Sequence, residues 1–202
     1  SYSHQNLDKK AISEIVSSFK QGAERAIKAG YKIIEIHATH NYLVHQFLSP
    51  IVNKRTDEYG GSFTNRVRFL LEIVSEIKPL LKEEHSLWVR MSATDWEDKG
   101  WTLNDSISLA GLLKDGGVDV LDLIAAETMP FNKKNLFSDM PMLFAETIRK
   151  DTGITVALAG AVSSSHRAEN VLKREQADLI MLGMPLIKQP SFINQASKEL
   201  YK

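Results

Sequence analysis

Lys32-Ile33-Ile34-Glu35-Ile36-His37-Ala38-Thr39-His40-Asn41-Tyr42 is the stretch on which the reading of this chain turns. Its first part, Lys32–His37, is an apolar run of strand length with Gly30 before it and polar residues after it. Just upstream, Ile12, Ile15, Val16, Phe19, Ala23, Ala26 and Ile27 recur at helical spacing. They predict a helix over Lys9–Ala29, capped by Asp8, stopped by Gly30, and turned with its apolar face to a sheet. A helix feeding a strand is one half of a parallel βα alternation. The rest of the chain repeats it.

Downstream, Ala38 to Ser62 reads as a long irregular segment containing Pro50 and Gly60-Gly61. A helix starts after Ser62 with Val67, Leu70, Leu71, Val74 and Ile77 on one face, and Pro79 ends or kinks it. Leu87–Ser92 is the next strand. Thr102 with Asp105 resembles a capping box before a helix carrying Ile107, Ala110 and Leu113, closed by Gly116-Gly117. Val118–Ala125 is a strand, a helix begins near Pro141, and Thr155–Ala159 is a strand. A short helix through Val171 and Leu172 leads to the last strand, Asp178–Leu182, and a final helix after Pro190 holds Phe192, Ile193 and Ala196.

Five strands, each followed by a helix, with no dividing linker, predict one α/β domain over residues 1–202. A complete (β/α)₈ barrel has eight strands and typically about 250 residues, so a barrel reading makes this chain partial, short by about three βα units. An open doubly wound sheet is the alternative, and composition does not separate the two.

Bulk properties narrow the function classes. Hydrophobic residues make up 43% of 202, enough for a sizeable core. Lys+Arg 25 against Asp+Glu 25 balances to zero, which argues against a surface devoted to nucleic acid or anionic membrane. The absence of cysteine excludes disulfides, thiolate metal sites and cysteine nucleophiles, and suits a cytoplasmic setting. No apolar run approaches the roughly 20 residues that span a bilayer. The first residue is Ser rather than Met, as in a trimmed chain or a piece of a longer one.

In parallel α/β architectures, ligands bind at the carboxyl ends of the strands. The first strand ends on His37, His40 and Tyr42, two imidazoles and a phenol within six positions. Imidazoles there can donate hydrogen bonds to an oxygen that gains negative charge, and a tyrosine can deliver a proton. The bland reading is a structural or solvated histidine. A metal site is not expected: zinc helices place His at i and i+4 around a Glu, and His45 is out of helical register with the pair.

Period two puts Glu35 on the His37 side, and leaves Trp88, Arg90 and Ser92 opposite the apolar set Leu87, Val89 and Met91. Arg90 then has two readings, a structural pair with Glu35 or a contact to an electron-rich ring or anion. At the chain end, Ala159-Gly160-Ala161 and Leu182-Gly183-Met184 each close a strand before a helix. In barrels the loops after the last two strands are a frequent phosphate site.

The run from Glu35 to Leu43, followed by Gln46-Phe47-Leu48-Ser49-Pro50, Asn53 to Ser62 and Asn65-Arg66, resembles the signature of the old yellow enzyme family. Val89-Arg90-Met91-Ser92, Ala159-Gly160 and Ala177-Asp178-Leu179-Ile180 with Gly183 follow in family order, so the resemblance spans nearly the whole chain, as strands four to eight of a barrel. It implies an FMN-dependent reductase: NADH or NADPH supplies hydride to the flavin, which passes it to the β-carbon of an α,β-unsaturated carbonyl compound. By similarity, His37 and His40 bind the substrate carbonyl, the second histidine marking the bacterial His–His branch, and Tyr42 stands at the proton-donor or substrate position. Arg90 contacts the flavin ring, which favours the second reading of that residue. Gly160, Gly183 and Met184 hold the phosphate, and Arg55–Arg66 shapes the rim.

Three departures qualify the resemblance. Met184 stands where the family usually has an arginine, and Asn41 where a glycine is common. The family's first three strands and its C-terminal tail have no counterpart in the 202 residues. Unpaired strand edges would then favour a homo-oligomer, and flavin affinity should be weak. The expected partner is a small enone-type molecule, with no nucleic acid and no membrane. Two other functions compete: a non-flavin aldolase or isomerase, which would want a lysine or carboxylate at a strand end, and an inactive remnant or fragment of the same fold.

Overall fold

The computed structural model describes residues 7–124, 139–160 and 162–200. The elements are α1 (Lys9–Lys28), β1 (Ile33–Ala38), α2 (Leu43–Leu48), α3 (Phe63–Ile77), β2 (Ser86–Ser92), α4 (Leu103–Asp115), β3 (Val120–Ile124), α5 (Met140–Thr152), β4 (Thr155–Ala159), α6 (Ser165–Lys173), β5 (Leu179–Met181), α7 (Met184–Lys188) and α8 (Phe192–Leu200). A 3₁₀ turn at Lys78–Leu80 takes up Pro79, as the sequence required. Of the predicted residues, Ala125 and Ala161 lie outside the described ones.

The five strands are all parallel and hydrogen-bonded in chain order, β1-β2-β3-β4-β5. That order decides between the two architectures. A doubly wound sheet reverses direction at a switch point, which is how helices come to both faces. An order that never reverses, with right-handed crossovers, keeps every crossover helix on one face, as in an arc of a (β/α)₈ barrel.

Alternation on the strands shows which face that is. Ile34, Ile36 and Ala38 on β1 and Leu87, Val89 and Met91 on β2 are buried. They meet Phe69, Leu70, Ile73, Val74 and Ile77 of α3 and Leu109, Ala110 and Leu113 of α4 in one continuous core. Each of the larger side chains contributes roughly 1.5–3 kcal/mol by leaving water. The opposite face carries Glu35, His37, Trp88 and Arg90. The first helix departs from expectation. Its apolar stripe lies chiefly against α3, with Phe19 edge-on to Phe69 at 6.4 Å and Lys20 paired with Glu76 at 2.8 Å, not flat against the sheet.

Caps set the element ends. Asp8 accepts from the Ala11 amide at 2.7 Å, Ser62 from Asn65, and Thr102 and Asp105 form the reciprocal capping box. The segment read as irregular contains a further short helix, α2. After it, the loop is knitted by side chains reaching main-chain carbonyls. Asn53 Nδ2 donates to Phe47 and Tyr59, both at 2.7 Å, and Arg66 donates to Leu48 at 2.8 Å and Gly61 at 2.7 Å. No helix among the described residues is long and apolar enough to cross a membrane.

Candidate active site

The carboxyl end of β1 is extended by a tight turn that folds its polar residues together. His40 and Asn41 both have φ of 57°, and the Tyr42 amide closes the turn onto the Thr39 carbonyl at 3.2 Å. Two successive non-glycine residues in the left-handed region cost roughly 1–2 kcal/mol each, less for Asn. Strain of this kind persists where surrounding bonds fix it. Here the Asn41 amide donates to His45 Nδ1 at 2.9 Å, Gln46 Nε2 donates to the Asn41 carbonyl at 2.7 Å, and the Thr39 and Ser92 hydroxyls meet at 2.6 Å beneath.

The turn brings the three predicted residues into one cluster. His40 Nδ1 lies 3.3 Å from His37 Nε2, and the Tyr42 ring centre is 5.3 Å from that of His37. Burial, then the nearby charges of His40, Arg90 and His45, lower the pKa of His37. Its imidazole is therefore neutral at neutral pH and offers one N–H and one lone pair. Tyr42 is 64% exposed, so the cluster faces solvent. Asn41→Val, which adds a β-branched side chain at positive φ, is expected to cost about 1–2 kcal/mol in urea unfolding, whereas Asn41→Gly leaves stability unchanged or raised.

In register, His37 stands beside Arg90, and Arg90 beside Asp122. Arg90 Nε lies 3.4 Å from Asp122 Oδ2, and Asp122 is fully buried. This corrects the sequence reading, which offered Glu35 as the structural partner of Arg90. Glu35 is an electrostatic neighbour, its carboxyl raised by desolvation against the pull of Arg90 and a hydrogen bond with Asp122. The pairing leaves Arg90 Nε buried without a hydrogen bond among the described residues.

Arg90 also lines a cleft of about 450 Å³ with Gly160, Ser163, Gly183, Met184 and Lys188. Among the described residues that line it there is no carboxylate, and the two cations are Arg90 and Lys188. Gly160 has φ of 81°, so the chain leaves β4 in a conformation that suits glycine. A Cβ at Gly183 would meet nothing within 4 Å among the described residues, so none of these demands glycine there. The structure thus gathers His37, His40 and Tyr42 in one place and Arg90, Gly160, Gly183 and Met184 in another, with Arg90 the neighbour of both. Among the described residues no group of His, Asp or Glu is arranged to hold a metal ion.

The fold agrees with the comparisons. The sequence profile of the NADH:flavin oxidoreductase / NADH oxidase family matches residues 1–202. The chain belongs to that family. Its curated relatives include an NADPH dehydrogenase of Bacillus subtilis (strain 168), 42% identical over 94% of this chain and 55% of its own length. Another, from Listeria monocytogenes serotype 4b, is 40% identical over 96% of this chain and 56% of its own. A morphinone reductase solved with tetrahydroNAD is 29% identical with a TM-score of 0.80, covering 96% of this chain and 51% of its own. A 2-naphthoyl-CoA reductase complex, 24% identical with a TM-score of 0.85, shares the fold over 96% of this chain and 30% of its own. The chain thus spans about half the length of the curated family members it matches. The (β/α)₈ class expected from the strand order is the class of these family members.

Sequence reasoning missed Asp122, the His45–Asp95 pair described below, and Lys188. Asp122 left a signal: a lone carboxylate in an apolar strand, on a face that registers with Arg90.

Proposed function

We propose that the protein containing this chain is an FMN-dependent NAD(P)H oxidoreductase that reduces the activated C=C bond of α,β-unsaturated carbonyl compounds. The observation that carries this reading is the 3.3 Å approach of His37 Nε2 to His40 Nδ1 at a strand end beside Arg90. Two imidazole nitrogens that close can both reach one carbonyl oxygen, which replaces their mutual hydrogen bond.

FMN fits the residues present. Arg90 would face the ring with a buried Nε that has no hydrogen bond among the described residues, and the cleft at Gly160, Gly183 and Met184, which no described carboxylate lines, would take the phosphate. Met184 gives no charge to a phosphate; Lys188 lines the same cleft and can. Held by these residues, FMN would supply the hydride-transfer chemistry, with NAD(P)H as the reductant.

The chain's own residues do the rest. His37 and His40 donate hydrogen bonds to the carbonyl oxygen and stabilise the negative charge that grows on it as the β-carbon gains hydride. Neutral His37 donates without giving up its proton. Tyr42 holds a phenolic proton at the solvent edge for the α-carbon, and water restores it. A cytoplasmic setting suits a chain without cysteine.

The test is a titration of the protein with FMN, followed by an assay of NAD(P)H consumption on a cyclic enone. Flavin binding, whether weak or tight, with enone-dependent NAD(P)H oxidation supports the reading. Flavin binding with no enone turnover would sink the substrate class, and no flavin binding would sink the reading altogether.

A further inference from the structure

The turn that carries His40 has a hidden support. His45, on the first turn of α2, is buried, and both its ring nitrogens are engaged. Nδ1 receives the Asn41 amide at 2.9 Å, and Nε2 lies 2.9 Å from Asp95 Oδ1. A backbone N–H can only donate, so Nδ1 must present its lone pair and the ring proton sits on Nε2. Asp95 accepts that proton's hydrogen bond. Its other oxygen accepts from the Ser49 hydroxyl at 2.6 Å and from the Trp101 amide at 2.7 Å. The His45 and Asp95 side chains are 10% and 6% exposed. Gly100 packs directly over this carboxylate: a Cβ there would lie 2.6 Å from Asp95 Cβ and 2.9 Å from its Oδ2. The position has room for the carboxylate and no more.

We propose that His45 and Asp95 are positioning residues: the Asp95 carboxylate locks His45 as its Nε2–H tautomer, and that tautomer holds the strained His40-Asn41 turn so that His40 meets His37. The proposal rests on the reading of His37 and His40 as the carbonyl-binding pair. Its physical content is a chain of donors and acceptors that permits one polarity only. The Trp101 amide fixes the Asp95 oxygen, the carboxylate fixes the ring proton, and the bare Nδ1 fixes the Asn41 amide. Asn41 and His40 are the two left-handed residues of the turn. With its amide anchored, the turn cannot relax to the extended backbone these residues prefer.

Asp95→Asn reverses this polarity with almost no change of shape. The Trp101 amide keeps the new side chain's oxygen on its own side, so the NH₂ faces His45. Nε2 must then accept, the ring proton moves to Nδ1, and Nδ1–H confronts the Asn41 N–H. Ser49→Ala is the control, removing one hydrogen bond but leaving a carboxylate before His45.

The experiment is nitrogen NMR on the protein carrying ¹⁵N-labelled histidine, which reports the tautomer of each ring directly. The proposal expects Nε2–H at His45 in the unsubstituted protein and in Ser49→Ala, and Nδ1–H in Asp95→Asn with displaced His40 signals. Nδ1–H in the unsubstituted protein would overturn it, as would unmoved His45 and His40 signals in Asp95→Asn. With FMN bound, Asp95→Asn is expected to lower enone turnover about 100-fold, the cost of misplacing a group by about 1 Å. A second pair remains decisive if Asp95→Asn fails to fold. His45→Asn puts an amide oxygen where Nδ1 sat, keeping an acceptor for the Asn41 amide, whereas His45→Gln puts an amide NH₂ where Nε2 sat, keeping the donor to Asp95 but leaving the Asn41 amide without its acceptor. The first is expected to retain about tenfold more turnover, the worth of one hydrogen bond; equal losses would overturn the proposal. Absence of enone turnover in the unsubstituted protein would overturn the enone reading, while the histidine spectrum alone decides the tautomer lock.

Discussion

Replacing His37 with alanine is expected to lower enone turnover by about 10²–10³-fold, the cost of losing one donor to a developing oxyanion. The geometry makes His37 the more sensitive of the two histidines. It is the strand residue, fixed by the register of β1 against β2 beside Arg90, and partly buried, whereas His40 rides on the turn and is exposed. Alanine leaves the carbonyl oxygen with one donor and lets water compete for it. Steady-state kinetics on the FMN-loaded protein are the check: a drop in kcat larger than the rise in KM marks a donor that matters most in the transition state. An unchanged kcat would remove His37 from the chemistry. Tyr42→Phe is expected to cost less, because at 64% exposure water reaches the same place. A second signature is independent of flavin. Burial, first, and the neighbouring charges lower the His37 pKa, so the unfolded chain binds its proton more readily than the folded one. Stability is then unaffected above the unfolded value of about 6.5 and falls as pH drops below it. His37→Ala should flatten that limb of the stability–pH curve.

The part of this site legible in the sequence is the part written in local pattern. Lys32–His37 alternates like a strand and ends on its polar residues, so the cluster of His37, His40 and Tyr42 follows from chain order alone. The same holds for the glycine-closed strand ends at Gly160 and Gly183. The boundaries shifted by one or two residues, because a strand ends where its ladder does and the ladder depends on the neighbour. What pattern could not reach is pairing between distant segments. His45 and Asp95 are 50 positions apart, and nothing local tells a buried His–Asp pair from two surface residues. Arg90 found Asp122 and not Glu35 because partners across a parallel sheet follow register, set by both flanking helices. The helix α2 was hidden for another reason. It is six residues long, begins at Leu43 after Tyr42, which gives no side-chain cap, and is followed by Pro50. A helix so short has almost no propensity of its own and exists because Val44, Phe47 and Leu48 find the core.

Trp101 shows how far such non-local support extends, and its removal is the largest stability change expected here. Trp101→Ala should cost about 3–5 kcal/mol, read from the shift of a urea or guanidinium midpoint. The indole is 1% exposed and stacks on Phe63 with ring centres 6.0 Å apart. Its Nε1 donates to Ser106 Oγ at 2.7 Å, and that hydroxyl donates to the Ala93 carbonyl at 2.8 Å. Alanine would leave a void between α3 and the start of α4 and take away the donor that Ser106 receives. Trp101→Phe keeps most of the ring contact and loses that one bond, so it is expected to cost about 1–2 kcal/mol. The two variants separate packing from polarity. The consequence for the site runs through the main chain. The Trp101 carbonyl accepts from the Asp95 amide and the Thr94 hydroxyl, both at 2.9 Å, while its amide holds the Asp95 carboxylate that faces His45. Through its own main chain, Trp101 therefore fixes the loop that faces His45 and, through it, the turn that carries His40. Trp101→Ala should weaken enone turnover even where it remains folded, and Trp101→Phe should not. Equal turnover in both folded variants would show that the loop after β2 keeps its shape without the indole.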